Sequence, residues 1–291
     1  MMNRLKEWLG GAGGAPDEAD QRYRPLAASG LELREGLPAY MAELEARLDE
    51  AMPEEWLRQV RERILSSDPE LSEIKHTWME RELKRHFFLL ALLRKPPLYN
   101  ADLERMWREM EAFSRDYEQF CERYAGYYIQ PQQAAPPSPP GAAARQARGA
   151  YELLYGCLFQ VQPESQLLIG PFHRLKLDAE SLEELQASAS PCAALGLLET
   201  SQDEKKAAIE ALRQRLRERC ALARRYHEAE SAEDRDRCRD ESDPSWVLLA
   251  YSLETEQSPY DPLSRAVRPE PAAEFEPGRT GSSVRSAIQP G

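Results

Sequence analysis

Apolar residues recur every three or four positions along much of the chain, which is the spacing of an amphipathic α-helix. The first two repeats run from Leu37 to Ala51 and from Pro53 to Ile64, and proline suits the first turn of a helix. A third helix is predicted from the string that follows, with Asp68 as its N-cap and Pro69 as its first residue. This helix is predicted to run to about Arg94, where a pair of prolines follows.

The third predicted helix is apolar nearly all round between residues 87 and 93, as expected of a helix at the centre of a bundle. The next repeat, from Leu103 to Tyr128, predicts one unbroken helix of about seven turns. Eleven of the 24 aromatic residues lie between Trp78 and Tyr128. The main core is therefore predicted there, because aromatic side chains dominate the buried area of a domain.

Five prolines among residues 131–140 predict an extended connection after this helix. Helical spacing returns at Tyr151, at 178–185 and from Asp203 to Glu230; between 157 and 177 short strands and helix both remain open, with helix favoured. The fold class is thus mainly α, a helical bundle with a smaller helical second unit and disordered termini. The predicted order is a flexible N-terminal arm (1–30), the helical bundle (31–130), a Pro/Ala-rich linker (131–149), the second helical unit (150–252) and a disordered tail (253–291).

Charge argues against a nucleic-acid partner. The 291 residues include 50 acidic and 38 basic side chains, a net charge of −12 that repels a phosphate backbone. Six arginines between 213 and 225 form a locally basic run, but their spacing scatters them around a helix and an acidic stretch at 230–243 follows. We expect a solvated helix paired with this acidic neighbour, and contact with phosphate stays open.

The five cysteines indicate a reducing compartment. They lie at 121, 157, 192, 220 and 238, are odd in number and contain no CxxC pair, so neither a disulfide framework nor a zinc ribbon is indicated. The longest dense apolar run, Phe87 to Leu93, is far short of the roughly 20 residues that span a bilayer. A cytoplasmic protein without a transmembrane segment is predicted.

Little in the sequence indicates catalysis or metal binding. Glu73 and His76 have the Glu-x-x-His spacing of di-iron bundles, but no second copy exists, so His76 is interpreted as a solvated residue on the outer face. His86, beside Phe87, is interpreted as a hydrogen-bonded core histidine. Cys121 and Cys220 lie on apolar stripes and are assigned to packing. No catalytic residue, metal or cofactor is predicted.

The string LERMWREMEAFSRDYEQFC at 103–121, followed by Gly126 and Ile129, resembles bacterial proteins of the glycine-rich domain-containing family, and the stretch 158–172 extends the resemblance to residues 70–190. The resemblance implies a helical fold rather than an activity. The histidines of the family motif are replaced by Arg108, Gln130 and Pro131, so a site that depended on them would be lost. The motif positions kept as candidate polar residues are Glu104, Trp107, Arg108, Glu109, Arg115 and Tyr117.

Two functions follow as expectations. The informative residues form packing stripes, which favours a non-catalytic intracellular interaction or scaffold protein with a protein partner. The alternative is an enzyme or small-molecule-binding protein with a polar site inside the bundle. At the motif itself, Trp107 is expected in the core, and Arg108 is expected at the edge of the stripe, paired with Glu104.

Overall fold

The computed structural model describes residues 22–27, 29–136, 141–172, 175–187, 195–198, 200–240 and 243–254. Within these ranges the chain forms helices, loops and two isolated β-bridges but no strand, so the mainly α class is confirmed. No described helix is long and apolar enough to cross a bilayer. The helices are α1 Ala39–Ala51, α2 Glu54–Ser67, α3 Glu73–Leu92, α4 Ala101–Ala112, α5 Ser114–Tyr124, α6 Ala142–Leu158, α7 Pro163–Ile169, α8 Ala179–Gln186, α9 Asp203–Glu228, α10 Ala232–Cys238 and α11 Pro244–Leu253.

The start of α3 differs from the prediction. Asp68 is not its N-cap but the residue that ends α2, and its N–H donates to the Ile64 carbonyl at 3.0 Å. The N-cap is Ser72, whose hydroxyl accepts from the N–H of Lys75 at 3.2 Å. The segment between them forms a turn, closed by a bond from the Leu71 N–H to the Asp68 carbonyl at 3.1 Å. Asp68 and Ser72 are both residue types that cap a helix. Because a turn follows Asp68, the helix begins after Ser72 instead.

The central position of α3 is confirmed. Its buried face includes Trp78, Phe87 and Phe88, and it packs against α1, α4 and α7. It is followed by Leu93 in extended conformation, which forms an isolated bridge to Leu197. A helix that contacts elements from both halves of the chain needs apolar residues on several faces, as residues 87–93 show.

The predicted single helix at 103–128 is wrong, because it is interrupted at Phe113. This residue leaves the helical region, with φ −87° and ψ 64°, and separates α4 from α5. The apolar stripe continues in phase across the break, so spacing alone could not reveal it. The second helix ends at Tyr124, where Gly126 takes φ +76° and its N–H donates to the Cys121 and Glu122 carbonyls, a cap that favours glycine.

The predicted linker is partly helical. Helix α6 begins at Ala142, within the range 131–149, because the prolines end at 140 and the following residues are mostly alanine and arginine, which favour helix. Arg148 in this stretch is buried. Buried apolar residues from both sides of the linker form one continuous core cluster, so α6 joins the core of the bundle that precedes it.

Helices α7 to α11 complete the fold. The range 157–177 contains the end of α6 and all of α7, with only a single bridge between Leu33 and Phe159, so the favoured helical interpretation holds for its described residues. The apolar helix α11 packs on α9 and α6. Gly156 permits the close approach of α6, since a Cβ there would lie 3.0 Å from the Pro244 Cβ.

The terminal predictions fall largely outside the described residues, namely 1–21 and 255–291. The described part of the N-terminal arm contacts the core, because Tyr23 is buried and the Trp78 indole N–H donates to the Arg24 carbonyl at 2.7 Å. Arg24 also pairs with Glu164 of α7 at 2.6 Å. Arg24 is thus bonded to α3 through its carbonyl and to α7 through its guanidinium.

Candidate functional site

The motif residues of α4 and α5 divide between interior and surface. Trp107 is fully buried, and its indole N–H donates to the Tyr117 hydroxyl at 2.6 Å. That hydroxyl donates to the Ile129 carbonyl, also at 2.6 Å. Burial raises the pKa of Tyr117 well above its ordinary value. These two residues lock α4, α5 and the following loop together, and the expected core position of Trp107 is confirmed.

On the surface, the expected pair of Arg108 and Glu104 is present, with Nη2 to Oε1 at 2.8 Å. The Arg108 side chain is 56% exposed. The other oxygen of Glu104 accepts from the Ala134 N–H at 2.8 Å. This backbone bond, followed by the bond from Arg108, lowers the pKa of Glu104. Both oxygens of Glu104 are thus bonded within the chain, and the residue fixes the segment that follows α5.

The remaining two motif positions complete the separation. Glu109 pairs with Arg63 of α2 at 2.8 Å, and Arg115 is exposed on α5. The six candidate residues are therefore not brought together into one site. In this structure they supply packing, inter-helix ion pairs and a loop anchor.

The prediction for His76 is wrong, because this residue is buried at 1% exposure rather than solvated. Burial, together with the charge of Arg61, lowers its pKa to about 4. Glu73 instead pairs with Arg61 at 2.7 Å, so the Glu-x-x-His pair does not share a ligand position. In the first turn of α3 the buried face includes His76, whereas Glu73 and Ile74 are exposed, so the spacing of apolar residues did not indicate which face is covered. Among the described residues, no three His, Cys, Asp or Glu side chains are grouped to hold a metal ion.

His86 is confirmed as a core residue. It lies edge-on to the Trp107 ring at 5.4 Å between ring centres, and burial lowers its pKa to about 3. Its Nε2 atom has no hydrogen-bond partner in the described residues, contrary to the expected bonded state. Both buried imidazoles are therefore neutral at physiological pH.

A charged cluster inside the bundle was not predicted. We call it the interior network; its members are Glu32, Arg81, Glu82, Arg85, Tyr155 and Ser165. Arg85 is fully buried and donates to Glu82 at 3.1 Å and to the Tyr155 hydroxyl at 2.5 Å. Its Nε and Nη2 atoms donate to the Leu31 carbonyl at 3.0 and 2.8 Å. Arg81 pairs with Glu32 beside it.

Glu82 is the acceptor at the centre of the interior network. The Tyr155 hydroxyl donates to one of its oxygens at 2.6 Å and the Ser165 hydroxyl to the other at 2.7 Å. Burial raises the pKa of Tyr155 well above its ordinary value, so the phenol keeps its proton. The guanidinium, carboxylate and hydroxyls compensate one another, which a buried charge requires. The network ties α3 to α6 and α7.

A second buried arginine stabilises the end of α7. Arg148 of α6 pairs with Glu152 at 2.6 Å and donates to the Ile169 carbonyl at 2.7 Å. The Tyr99 ring lies 4.3 Å from its guanidinium carbon. This arrangement satisfies the Ile169 carbonyl at the end of α7, which has no partner within the helix.

A surface cleft of about 310 Å³ lies where α1, the end of α5 and the start of α9 meet. We call it the tyrosine cleft. Its lining residues are Tyr40, Arg47, Leu90, Ala91, Tyr124, Ala125, Tyr127, Ile129, Thr200, Ser201, Gln202 and Lys205. Leu90 and Ala91 of α3 supply apolar surface. The polar residues come from three short segments that are more than 70 positions apart from one another, so no sequence motif could indicate them.

Aromatic rings and two cations dominate the tyrosine cleft. The Arg47 guanidinium lies 5.8 Å from the centre of the Tyr124 ring. Tyr124 is buried and fixed by a bond from its hydroxyl to the Phe87 carbonyl at 3.1 Å, whereas Tyr127 is 61% exposed. One aromatic wall is thus rigid and the other is accessible to solvent.

The cations of the cleft have no acidic partner among the described residues. None of the described lining residues is acidic, and neither Arg47 nor Lys205 forms an ion pair with a described side chain. Burial and the charge of Arg47 lower the pKa of Lys205. In a chain with a net charge of −12, this is a local concentration of uncompensated positive charge.

Several arginines of α9 differ from the cations of the tyrosine cleft, because they are paired with acidic side chains. Arg219 pairs with Asp240 at 3.2 Å and with Asp243 at 2.8 Å, as the prediction of an acidic neighbour required. Arg213 and Arg217 instead share Glu210 of the same helix. Much of the charge of the basic run is therefore compensated within the chain.

No protein-family model, curated protein or solved structure matches this chain. The resemblance to the glycine-rich domain-containing family therefore stays a prediction. Conclusions about function depend on the geometry of the sites described above.

Proposed function

We propose that this protein is a non-catalytic cytoplasmic interaction protein that contacts its partner through the tyrosine cleft. The observation that carries this proposal is the exposed Tyr127 ring in one cleft with two cations that lack an acidic partner in the described residues. Tyrosine and arginine are enriched among the residues that dominate binding energy at protein interfaces. A partner with a negatively charged group would complement the cleft.

The interior network supports a structural role rather than catalysis. Glu82, Arg85, Tyr155 and Ser165 are each at most 2% exposed, and each is engaged by the others. A substrate would have to displace these bonds and leave a buried charge uncompensated, which is costly. The network is nevertheless the observation that favours the second candidate, an enzyme or small-molecule-binding protein with a site inside the bundle.

The cytoplasmic part of the proposal draws on the thiols. Cys121, Cys157 and Cys220 are buried as free thiols, and Cys238 is a free thiol nearer the surface. Burial raises the pKa of Cys157 to about 12, so it remains protonated and unreactive. Free thiols suit a reducing compartment.

The proposal is tested by affinity capture with the full-length protein and two charge-matched double variants. Arg47→Gln/Lys205→Gln removes both cations of the cleft. Arg123→Gln/Lys206→Gln removes two exposed cations outside its lining, from the neighbouring turns of α5 and α9. We expect a specific protein to be retained by the wild type and by the control variant but lost from the cleft variant.

Direct binding of that protein, once purified, is then measured by isothermal titration calorimetry. Equal binding to both double variants would contradict the proposal. Turnover of a small molecule that Glu82→Gln abolishes, while this variant keeps its fold, would favour the second candidate.

A further inference from the structure

We infer that the tyrosine cleft recognises a phosphate monoester, carried as a phosphorylated side chain on the partner protein. This inference rests on the proposed function and specifies the group that is bound. Arginine and lysine pairs are the usual recognition elements for phosphorylated motifs. Here the pair is Arg47 from α1 and Lys205 from α9, two lining residues of the cleft that separate helices supply.

The charge of the cleft favours a dianion over a carboxylate. Arg47 and Lys205 line the same cleft, where burial first and the charge of Arg47 second lower the pKa of Lys205. A phosphate monoester carries nearly two negative charges at pH 7 and compensates both cations, whereas a carboxylate compensates one. Since no described carboxylate is paired with either residue, an incoming anion has no internal competitor within the part of the chain that the structure describes.

Hydrogen-bond donors accompany the cations. The Thr200 hydroxyl oxygen accepts from the Gln202 N–H at 3.2 Å, which leaves its proton for a ligand. Ser201 and the Gln202 amide add further donors on the same side of the cleft. Three phosphate oxygens can use such a mixed set of donors, which exceeds what the two oxygens of a carboxylate require.

The size and walls of the cleft indicate that more than the phosphate enters it. Its volume of about 310 Å³ exceeds what an oxyanion fills and reaches the range of small-molecule sites. The rings of Tyr40, Tyr124 and Tyr127 border this space. A phosphate attached to an aromatic ring would use both the cations and the tyrosines.

The N-terminus of α9 does not by itself explain the positive charge of the tyrosine cleft. Its first turn contains Asp203 and Glu204, whose carboxylates oppose the positive end of the helix. Both residues are exposed, and neither lines the cleft. The recognition therefore depends on the Arg47 and Lys205 side chains, which gives the test its variants.

Phenyl phosphate is the minimal probe, and benzoate is its monoanionic counterpart with the same ring. Binding of each is measured by calorimetry and by NMR chemical-shift changes on the full-length protein. The single variants are Arg47→Gln and Lys205→Gln, with Lys206→Gln as a control that makes the same charge change one residue away. Thermal melts confirm that all variants are folded.

We expect phenyl phosphate to bind the wild type and Lys206→Gln alike, and to bind Arg47→Gln and Lys205→Gln about tenfold or more weakly, because each loses a charge-assisted contact. Benzoate should bind about tenfold more weakly than phenyl phosphate. Phosphatase treatment of the captured partner should abolish its retention.

Three results would overturn the inference: no binding of phenyl phosphate, equal loss in Lys206→Gln and Lys205→Gln, or benzoate binding as tightly as phenyl phosphate. A partner whose capture depends on the cleft but survives phosphatase treatment would also overturn it, while leaving the proposed function intact. Loss of cleft dependence in the capture experiment would instead contradict the proposed function.

Discussion

The interior network and the tyrosine cleft each place an arginine beside a tyrosine ring, but the network is buried and the cleft is open to solvent. In the interior, the Arg85 guanidinium lies 5.4 Å from the centre of the Tyr155 ring and is also bonded to Glu82. In the cleft, Arg47 lies 5.8 Å from the Tyr124 ring and has no described carboxylate partner. A buried charge must be compensated within the fold, but an exposed one need not be. An uncompensated cation at the surface is therefore the better indicator of an external partner.

The largest expected effect is in the interior network. Arg85→Met should lower the free energy of unfolding by about 3–5 kcal/mol, because it leaves Glu82 as a buried carboxylate without its cation. Urea melts at pH 7 measure the change. Arg47→Met is the matched control at the cleft, and it should cost under about 1 kcal/mol because the Arg47 side chain is exposed and has no carboxylate partner among the described residues. Similar losses in the two variants would contradict the distinction between the regions.

Trp107→Ala extends the comparison to a neutral interior residue. The substitution empties a fully buried position and removes the donor to the Tyr117 hydroxyl, so a loss of about 3–5 kcal/mol is expected. Tyr117→Phe keeps the ring but removes that hydroxyl and should cost less, about 1–3 kcal/mol. Guanidinium melts of both variants measure the two losses. A loss below about 1 kcal/mol for Trp107→Ala would show that the α4–α5 core is not packed as described.

The buried histidines, His76 and His86, should make the free energy of unfolding depend on pH. The folded-state pKa values are about 4 for His76 and about 3 for His86, below the ordinary value of 6.5. As pH falls below 6.5 the unfolded chain binds protons first, so the stabilising effect is complete above about pH 7 and is lost on acidification. Between pH 7 and 5 each histidine should account for roughly 2 kcal/mol of lost stability.

Urea melts at the two pH values, on the wild type and single variants, measure this loss. His76→Gln and His86→Gln should each flatten the pH dependence of the free energy of unfolding. The pH 7 stability of each variant provides its own reference, so a general destabilisation is separated from the change in slope. An unchanged slope in both core variants would contradict the burial of these imidazoles.

How far the sequence predicted this fold depends on the range of the interactions involved. Helical spacing located α1, α2 and the long α9, because each buries one regular stripe. The break at Phe113 and the N-cap at Ser72 were missed, since each depends on a local turn that leaves the stripe in phase. Spacing describes which face is buried, but it does not show where the backbone bends.

The sequence did not predict the interior network or the tyrosine cleft, because the residues of each are distant in sequence. Glu82 meets Tyr155 and Ser165 across 73 and 83 positions, which no local pattern encodes. One signal was available, namely that Glu82 and Arg85 lie within two turns of the run from Phe87 to Leu93, which is predicted to be buried all round. Charged residues that are buried next to such a run require partners, and this requirement could have predicted an interior network without naming its other members.

The smallest expected effect is at Arg108, where the sequence departs from the family motif it resembles. Its side chain is 56% exposed and its pair with Glu104 is solvated, so Arg108→Ala should cost only about 0.3–0.5 kcal/mol. Glu104 would keep its bond from the Ala134 N–H, so the following loop should stay anchored. Urea melts beside Trp107→Ala measure the difference. If Arg108→Ala and Trp107→Ala were equally destabilised, Arg108 would belong to a buried charge network. Its description as an exposed residue paired with Glu104 would then be wrong.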